Sequence, residues 1–171
     1  MVRHSNPFAG RYTRYILSIL IFGLLLPFLL WQTDPLFSLL SILAALLLTV
    51  GVDYILSQVA QYKAEAMVSE PVRLVLPAFK RTTGAKGFFV MTDRFTMFVP
   101  LWHKITLVLE NERIMRYEID NYEVDLIVKF PNKHRSFYFT VSSPHRVQER
   151  LESVVGPSLP YKYDKSENAT K

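Results

Sequence analysis

The chain has 171 residues, a formal net charge of +5 and no cysteine. The missing thiols exclude disulfides, thiolate metal sites and a cysteine nucleophile, and the length suffices for a membrane hairpin plus one folded domain of roughly 100 residues. Between Gln58 and Gly156 fourteen Lys and Arg stand against eleven Asp and Glu, too even a balance for a nucleic-acid-binding surface.

Residues 1–14 form a basic tail in which Arg3, Arg11 and Arg14 have no acidic neighbour. Two apolar runs follow, Tyr15 to Trp31 and Leu36 to Leu56, separated only by Gln32-Thr33-Asp34-Pro35. As helices they would be roughly 25 and 32 Å long, against about 30 Å of hydrocarbon. Such runs predict a two-helix transmembrane hairpin over residues 15–57, because lipid offers backbone amides no water to bond. A cleaved signal sequence is the rival reading. The length of the first run, the lack of a small-residue cleavage site and the immediate second run argue against it. Tyr12, Tyr15 and Trp31 suit the two interfaces, and Pro27 predicts a kink. Lys63 and Arg73 follow the second run on the side of the basic tail, and the hairpin loop has no Lys or Arg. Positive-inside reasoning therefore places both termini in the cytoplasm. Asp53, near the end of the second run, reads as an interfacial carboxylate with no intramembrane charge to partner it.

Residues 58–70 are expected to be a helical connector, through Val68. From Pro71 to Gly156 the period changes to two. Val72, Leu74 and Leu76 alternate, then Phe88 and Val90, then Phe95, Met97 and Val99. Ile105, Leu107 and Leu109 make a fourth strand and Ile114 to Ile119 a fifth. Val124, Leu126, Val128 and Phe130 alternate most cleanly, and Phe137, Phe139 and Val141 complete seven strands. Thr83-Gly84, Thr92-Asp93, Glu110-Asn111, Asp120-Asn121 and Pro131-Asn132 supply the turns. Ser143 and Pro144 suit the N-cap and first position of a helix whose apolar stripe is Val147, Leu151, Val154 and Val155. Gly156-Pro157 ends it. Residues 157–171 are polar and expected to be disordered, and the Asn168 sequon has no meaning on a cytoplasmic tail.

Seven short strands followed by one amphipathic helix resembles the pleckstrin-homology (PH) superfold. The run Gly87 to Pro100, in which an apolar strand ends in Thr92-Asp93-Arg94 and re-enters an apolar strand, resembles the hairpin of GRAM and bacterial PH-type domains. The resemblance spans roughly Pro71 to Val155 and implies a bent seven-stranded barrel plugged by the helix. It also suggests a bacterial plasma membrane as the location. In the Thr92-Asp93-Arg94 turn, Thr92 and Asp93 are expected to bond local backbone and Arg94 to pair with an acid.

In PH domains that bind phosphoinositides, basic residues on the first hairpin loop grip phosphates. Here that loop holds Lys80, Arg81, Thr82, Thr83, Gly84 and Lys86. The resemblance makes Lys80, Arg81, Thr82, Thr83 and Lys86 candidate contacts for an anionic headgroup or phosphate. The same cations also read as a generic basic surface facing anionic lipid. Trp102 is either core or an exposed contact. Glu110, Glu112, Glu118, Asp120, Glu123 and Asp125, interleaved with Arg113 and Arg116, read as a salt-bridged face. His4, His103, His134 and His145 lack ligand spacing, and Ser142-Ser143 reads as a cap. With no catalytic motif, neither enzyme activity nor a cofactor is expected. The reading is a membrane-tethered, non-catalytic adaptor that binds a protein partner or anionic lipid. The alternative is a subunit of a larger membrane complex packed through Ser41, Ala44, Ala45 and Gly51 of the hairpin.

Overall fold

The computed structural model describes residues 8–31, 34–131 and 133–157. Arg3, His4, the Gln32-Thr33 part of the connection, Asn132 and the tail with its Asn168 sequon lie outside these. The chain divides into two compact units, Met1–Tyr62 and Lys63–Lys171.

The first unit is a helical hairpin. One arm comprises α1 (Ala9–Ser18), a π-helical stretch Ile19–Leu25 and α2 (Leu26–Leu30). The other comprises α3 (Pro35–Leu46), a second π-helical stretch Leu47–Gly51 and α4 (Val52–Val68), whose last turns belong to the second unit. Pro27 has no N–H for the preceding turn, and the backbone ahead of it runs in the wider π geometry. Asp34 caps α3, accepting from the Leu36 N–H at 2.9 Å, and Pro35 takes the first helical position.

Ser38, Ser41, Ala45 and Thr49 fall three, four and four residues apart and are the buried side of the second arm. Ser41 Oγ donates to the Phe22 carbonyl at 2.7 Å, Ser38 Oγ to Pro27 at 3.3 Å, and Ser18 Oγ returns to Ala45 at 3.3 Å. Small hydroxyl residues thus let the two backbones approach and supply hydrogen bonds between the arms. Ser41 and Ala45, two of the four small residues that would allow close helix packing, pack within the hairpin.

Asp53 finds its partners on the other arm, in the basic segment ahead of the first apolar run. Its carboxylate accepts from Arg14 and from the Tyr15 hydroxyl and forms an ion pair with Arg11. Both guanidinium groups also lie about 5.5 Å from the Tyr15 ring centroid. The antiparallel hairpin sets position 14 beside position 53, a proximity that a separation of 39 positions hides from any local reading.

The second unit is an antiparallel sheet of seven strands in the order β4-β3-β2-β1-β7-β6-β5. The strands are β1 Leu74–Lys80, β2 Ala85–Met91, β3 Phe95–Pro100, β4 Leu107–Glu110, β5 Ile114–Asp120, β6 Glu123–Phe130 and β7 Lys133–Val141. The final helix is α5, Pro144–Val155. The expected element order is therefore present, but the sheet is open, with β4 and β5 as its edges rather than closed into a barrel. Ile105 lies before β4 and Val72 before β1.

Alternate positions of every strand meet in one core: Leu74, Leu76 and Ala78 from β1, Phe89 and Met91 from β2, Phe98 from β3, Val124, Leu126 and Val128 from β6, Phe139 and Val141 from β7. Val147 and Leu151 of α5 are fully buried against it. Ser143 occupies the N-cap of α5 without a side-chain capping bond, and Gly156, at φ +93°, ends the helix. On the opposite face of the sheet Phe88, Val90, Met97 and Val99 are also buried, paired across β2 and β3 as Phe88↔Val99 and Val90↔Met97. This part of the sheet is dry on both sides, so its sequence is a continuous apolar run in which alternation carries no inside–outside signal.

Candidate functional site

The candidate cations sit on the β1–β2 turn. Lys80 pairs with Ala85 across it, and the turn residues Arg81 to Gly84 lie between. The Thr83 and Gly84 N–H groups both donate to the Lys80 carbonyl, at 3.3 and 2.9 Å. Those two donors close the turn on itself and are not presented to an anion. Gly84 takes φ +67°, the left-handed conformation a tight turn needs. Arg81 Nη1 donates to Glu123 Oε2 at 2.8 Å, so its charge is paired with the start of β6. Thr82 and Thr83 are exposed.

Register decides the lysines. Lys80 shares a sheet face with Leu74, Leu76 and Ala78, whereas Lys86 stands opposite Phe79 and shares the other face with Phe88 and Val90. The structure therefore brings Arg81, Thr82 and Thr83 to one turn but sends Lys80 and Lys86 to opposite faces. The cations form a distributed basic rim rather than a convergent phosphate cradle.

The β2–β3 turn is tied to three other parts of the unit. Thr92 Oγ1 accepts from the Phe95 N–H at 2.9 Å and donates to Glu70 Oε2 at 2.9 Å, and Arg94 pairs with Glu70 at 3.7 Å. Asn111, buried behind the turn, donates through Nδ2 to the Thr92 and Asp93 carbonyls and accepts from the Thr96 hydroxyl at 2.6 Å. Its own N–H donates to the Arg94 carbonyl at 2.8 Å. Sequence reasoning took Asn111 for an ordinary turn residue, and no local signal distinguishes it. Asp93 was expected to bond local backbone. It bonds instead to Arg73, at 3.2 Å, and to Arg150 of α5.

Two carboxylates depart from the ordinary range, in opposite senses. Hydrogen bonding to Arg150, helped by Arg73, holds Asp93 below it. Burial, with Glu118 across the β5–β6 pair, pushes Asp125 above it against the pull of Arg116, and Asp125 Oδ1 is a buried oxygen with no hydrogen-bond partner. The depressed folded value of Asp93 gives stability present above the ordinary carboxylate pKa and lost as pH falls through the folded one. The raised value of Asp125 makes its ionised form a cost, relieved as pH falls through the folded pKa. Asp93→Asn should therefore flatten the acid limb of the stability–pH curve. Asp125→Asn should stabilise the protein at pH 7, since it removes the partly buried charge. Thermal unfolding of both variants across pH 3 to 8 checks the two signs.

Three of the six acids read as a salt-bridged face are paired: Glu110 with Arg113, Glu118 with Arg116 and Glu123 with Arg81. Among the described residues no group of three or more His, Asp or Glu is placed to hold a metal ion.

Trp102 settles the question left open for it, since it is 86% exposed. It lines a groove of about 580 Å³ with Lys63, Ala66 and Met67 from the end of α4 and His103, Lys104 and Ile105 from the β3–β4 connection. Lys63 Nζ reaches the Leu101 carbonyl at 3.5 Å.

No protein-family profile matches the sequence, and no curated protein matches it. Three solved structures are similar at low identity. The C-terminal domain of an unknown protein from Leishmania infantum is 10% identical with a TM-score of 0.47, covering 57% of this chain and 95% of that one. The FERM and C-terminal domain complex of Drosophila Merlin is 13% identical with a TM-score of 0.42, covering 73% and 41%. The DH/PH domains of p115-RhoGEF are 11% identical with a TM-score of 0.43, covering 88% and 56%. The chain thus spans less than two thirds of the last two, and overlaps at this level do not fix a family.

Proposed function

We propose that this chain is a membrane-tethered, non-catalytic module with a PH-like domain that binds a protein partner or anionic lipid at the cytoplasmic face of a bilayer. The observation that carries the reading is the pairing of two long, unburied apolar helices with a separate folded unit. Gly10–Leu30 and Pro35–Val68 are both long and apolar enough to cross a membrane, and only 6% and 22% of their most apolar windows are buried within the protein. Core helices of a water-soluble fold would be mostly covered, whereas Phe28, Leu24, Leu39 and Val50 are all more than 60% exposed. The seven-strand order with its capping helix supports the PH-like part of the reading, and the basic rim of Lys80 and Lys86 suits an anionic surface. A tether supplies the local concentration that makes weak contacts useful. Packing into a larger complex through the hairpin loses ground, because Ser41 and Ala45 are already used within it.

The absence of cysteine allows a clean test. Thr33→Cys in the hairpin connection and Thr82→Cys in the β1–β2 turn, each as a single cysteine in the full chain, are labelled with a membrane-impermeant maleimide in intact cells and in inverted vesicles. The expected result is retention of the chain in membranes after alkaline carbonate extraction. Thr33→Cys should be labelled from outside and Thr82→Cys only from the cytoplasmic side. Release by carbonate, or labelling of both positions from one side, overturns the reading.

A further inference from the structure

The groove beside Trp102 has a composition that the tethering reading does not by itself require. Its lining comes from the last turns of α4 and the β3–β4 connection and includes Lys63, His103 and Lys104 but no acidic residue. Among the described residues none of these three lies within ion-pair distance of a carboxylate. Arg73, Arg81, Arg94, Arg113, Arg116 and Arg150 of this unit, by contrast, are each paired with a carboxylate. The apolar part of the lining, Met67 and Trp102, is 52% and 86% exposed. The uncovered indole leaves apolar surface in water, and Lys63 and Lys104 beside it carry charge that no carboxylate offsets among the described residues. The headgroup layer of an anionic bilayer meets both needs, since indole is favoured at that depth and lysines are attracted by lipid phosphates. The lining contains no strand residue, so it offers no edge for an extended peptide to add to. Its volume of about 580 Å³ is within the ordinary range for small-molecule clefts.

We infer that this groove is the surface through which the second unit docks on anionic phospholipid, with Trp102 inserted at headgroup level and Lys63 and Lys104 against phosphates. The inference rests on the tethering reading and names the lipid face of that module, apart from the β1–β2 turn.

The chain has two tryptophans, so Trp31→Phe leaves Trp102 as the sole reporter. The full-length Trp31→Phe protein is reconstituted in vesicles of phosphatidylcholine alone or with phosphatidylglycerol, each with and without brominated phosphatidylcholine. Trp102 emission is expected to be blue-shifted and quenched by bromine in the anionic vesicles and solvent-like in the neutral ones. Lys63→Ala with Lys104→Ala should lower the docked-to-free ratio about thirtyfold. Emission that stays solvent-like and unquenched in both compositions overturns the inference. Shielding that is equal in both and rises with protein density also overturns it, assigning the groove to a second copy of the chain. Alkaline extraction of the same vesicles reads the tether separately: retention with unquenched Trp102 sinks the groove assignment alone. Release sinks the tether, and quenching on added anionic vesicles then decides the groove.

Discussion

Gly87→Ala should lower the melting temperature of the second unit by more than about 10 °C, equivalent to about 3 kcal/mol or more. Gly87 lies in β2 between Ala78 of β1 and Pro100 of β3. A Cβ built there would sit well inside van der Waals distance of the Val99 carbonyl oxygen, and 2.9 Å from both the Phe98 ring and the Pro100 Cα. The oxygen and the Cα are backbone, so relief requires β3 to move rather than a side chain to rotate, and an overpacked sheet cannot give without losing register. The backbone φ at Gly87 is not positive, so the effect is purely one of space. Near-UV circular dichroism of the detergent-solubilised full chain on heating measures it. Gly84→Ala serves as the comparison: its added methyl meets only the Phe79 ring, at 4.0 Å, and its cost is the left-handed φ alone, about 1 kcal/mol. Equal shifts for the two variants would contradict the packing argument.

Phe139→Ala should cost about 3–5 kcal/mol, the range for emptying an aromatic site in a tight core. Phe139 lies 2% exposed between two other rings, with centroids 5.3 Å from Phe89 and 5.9 Å from Phe98. Removing it takes the contact that joins β7 to β2 and β3 across the middle of the core. Phe137→Ala, two residues earlier on the same strand and only half-buried, should cost much less. The same heating experiment ranks the pair. A Phe137→Ala variant as unstable as Phe139→Ala would mean that the core extends further along β7 than its burial indicates.

That comparison shows how far the sequence could be read. Phe137, Phe139 and Val141 alternate and were grouped together correctly as one face, but alternation assigns faces and not depth. In β6 the alternation holds, with Val124, Leu126 and Val128 buried and Lys129 exposed, although Asp125 and Phe130 are both half-buried. In β2 and β3 it failed, because Phe88, Val90, Met97 and Val99 on one face and Phe89, Met91 and Phe98 on the other are all apolar. A strand covered on both sides leaves no period to detect.

The candidate site was legible as composition and not as geometry. The turn holding Arg81 to Gly84 was identified from Thr83-Gly84, yet the register Lys80↔Ala85 places Lys80 and Lys86 on opposite faces. A shift of one residue in the pairing would have put them together, and nothing local reveals which pairing holds. Trp102 was ambiguous for a similar reason, since whether a loop aromatic is covered depends on elements distant in sequence. The Asp53 cluster and Asn111 were missed outright. Arg14 and Asp53 are 39 positions apart, and Thr96 and Asn111 are 15 apart. Neither pair leaves a mark within a window the length of one element.

The amino-acid sequence by itself determined the order and type of the elements: two apolar helices, seven antiparallel strands and a closing helix. Each of those follows from a local period, from a proline or glycine at an end, or from a run of residues unable to leave an apolar environment. Only the tertiary structure decided that the hairpin spends its serines on its own carbonyls, that Asp53 pairs with arginines from the other arm, and that the sheet stays open. It alone decided, too, that the uncovered Trp102 stands beside Lys63 and Lys104. Periodicity is written into the backbone of each segment, whereas these pairings depend on which segments meet and in what register, and that is settled by the packing of the whole chain.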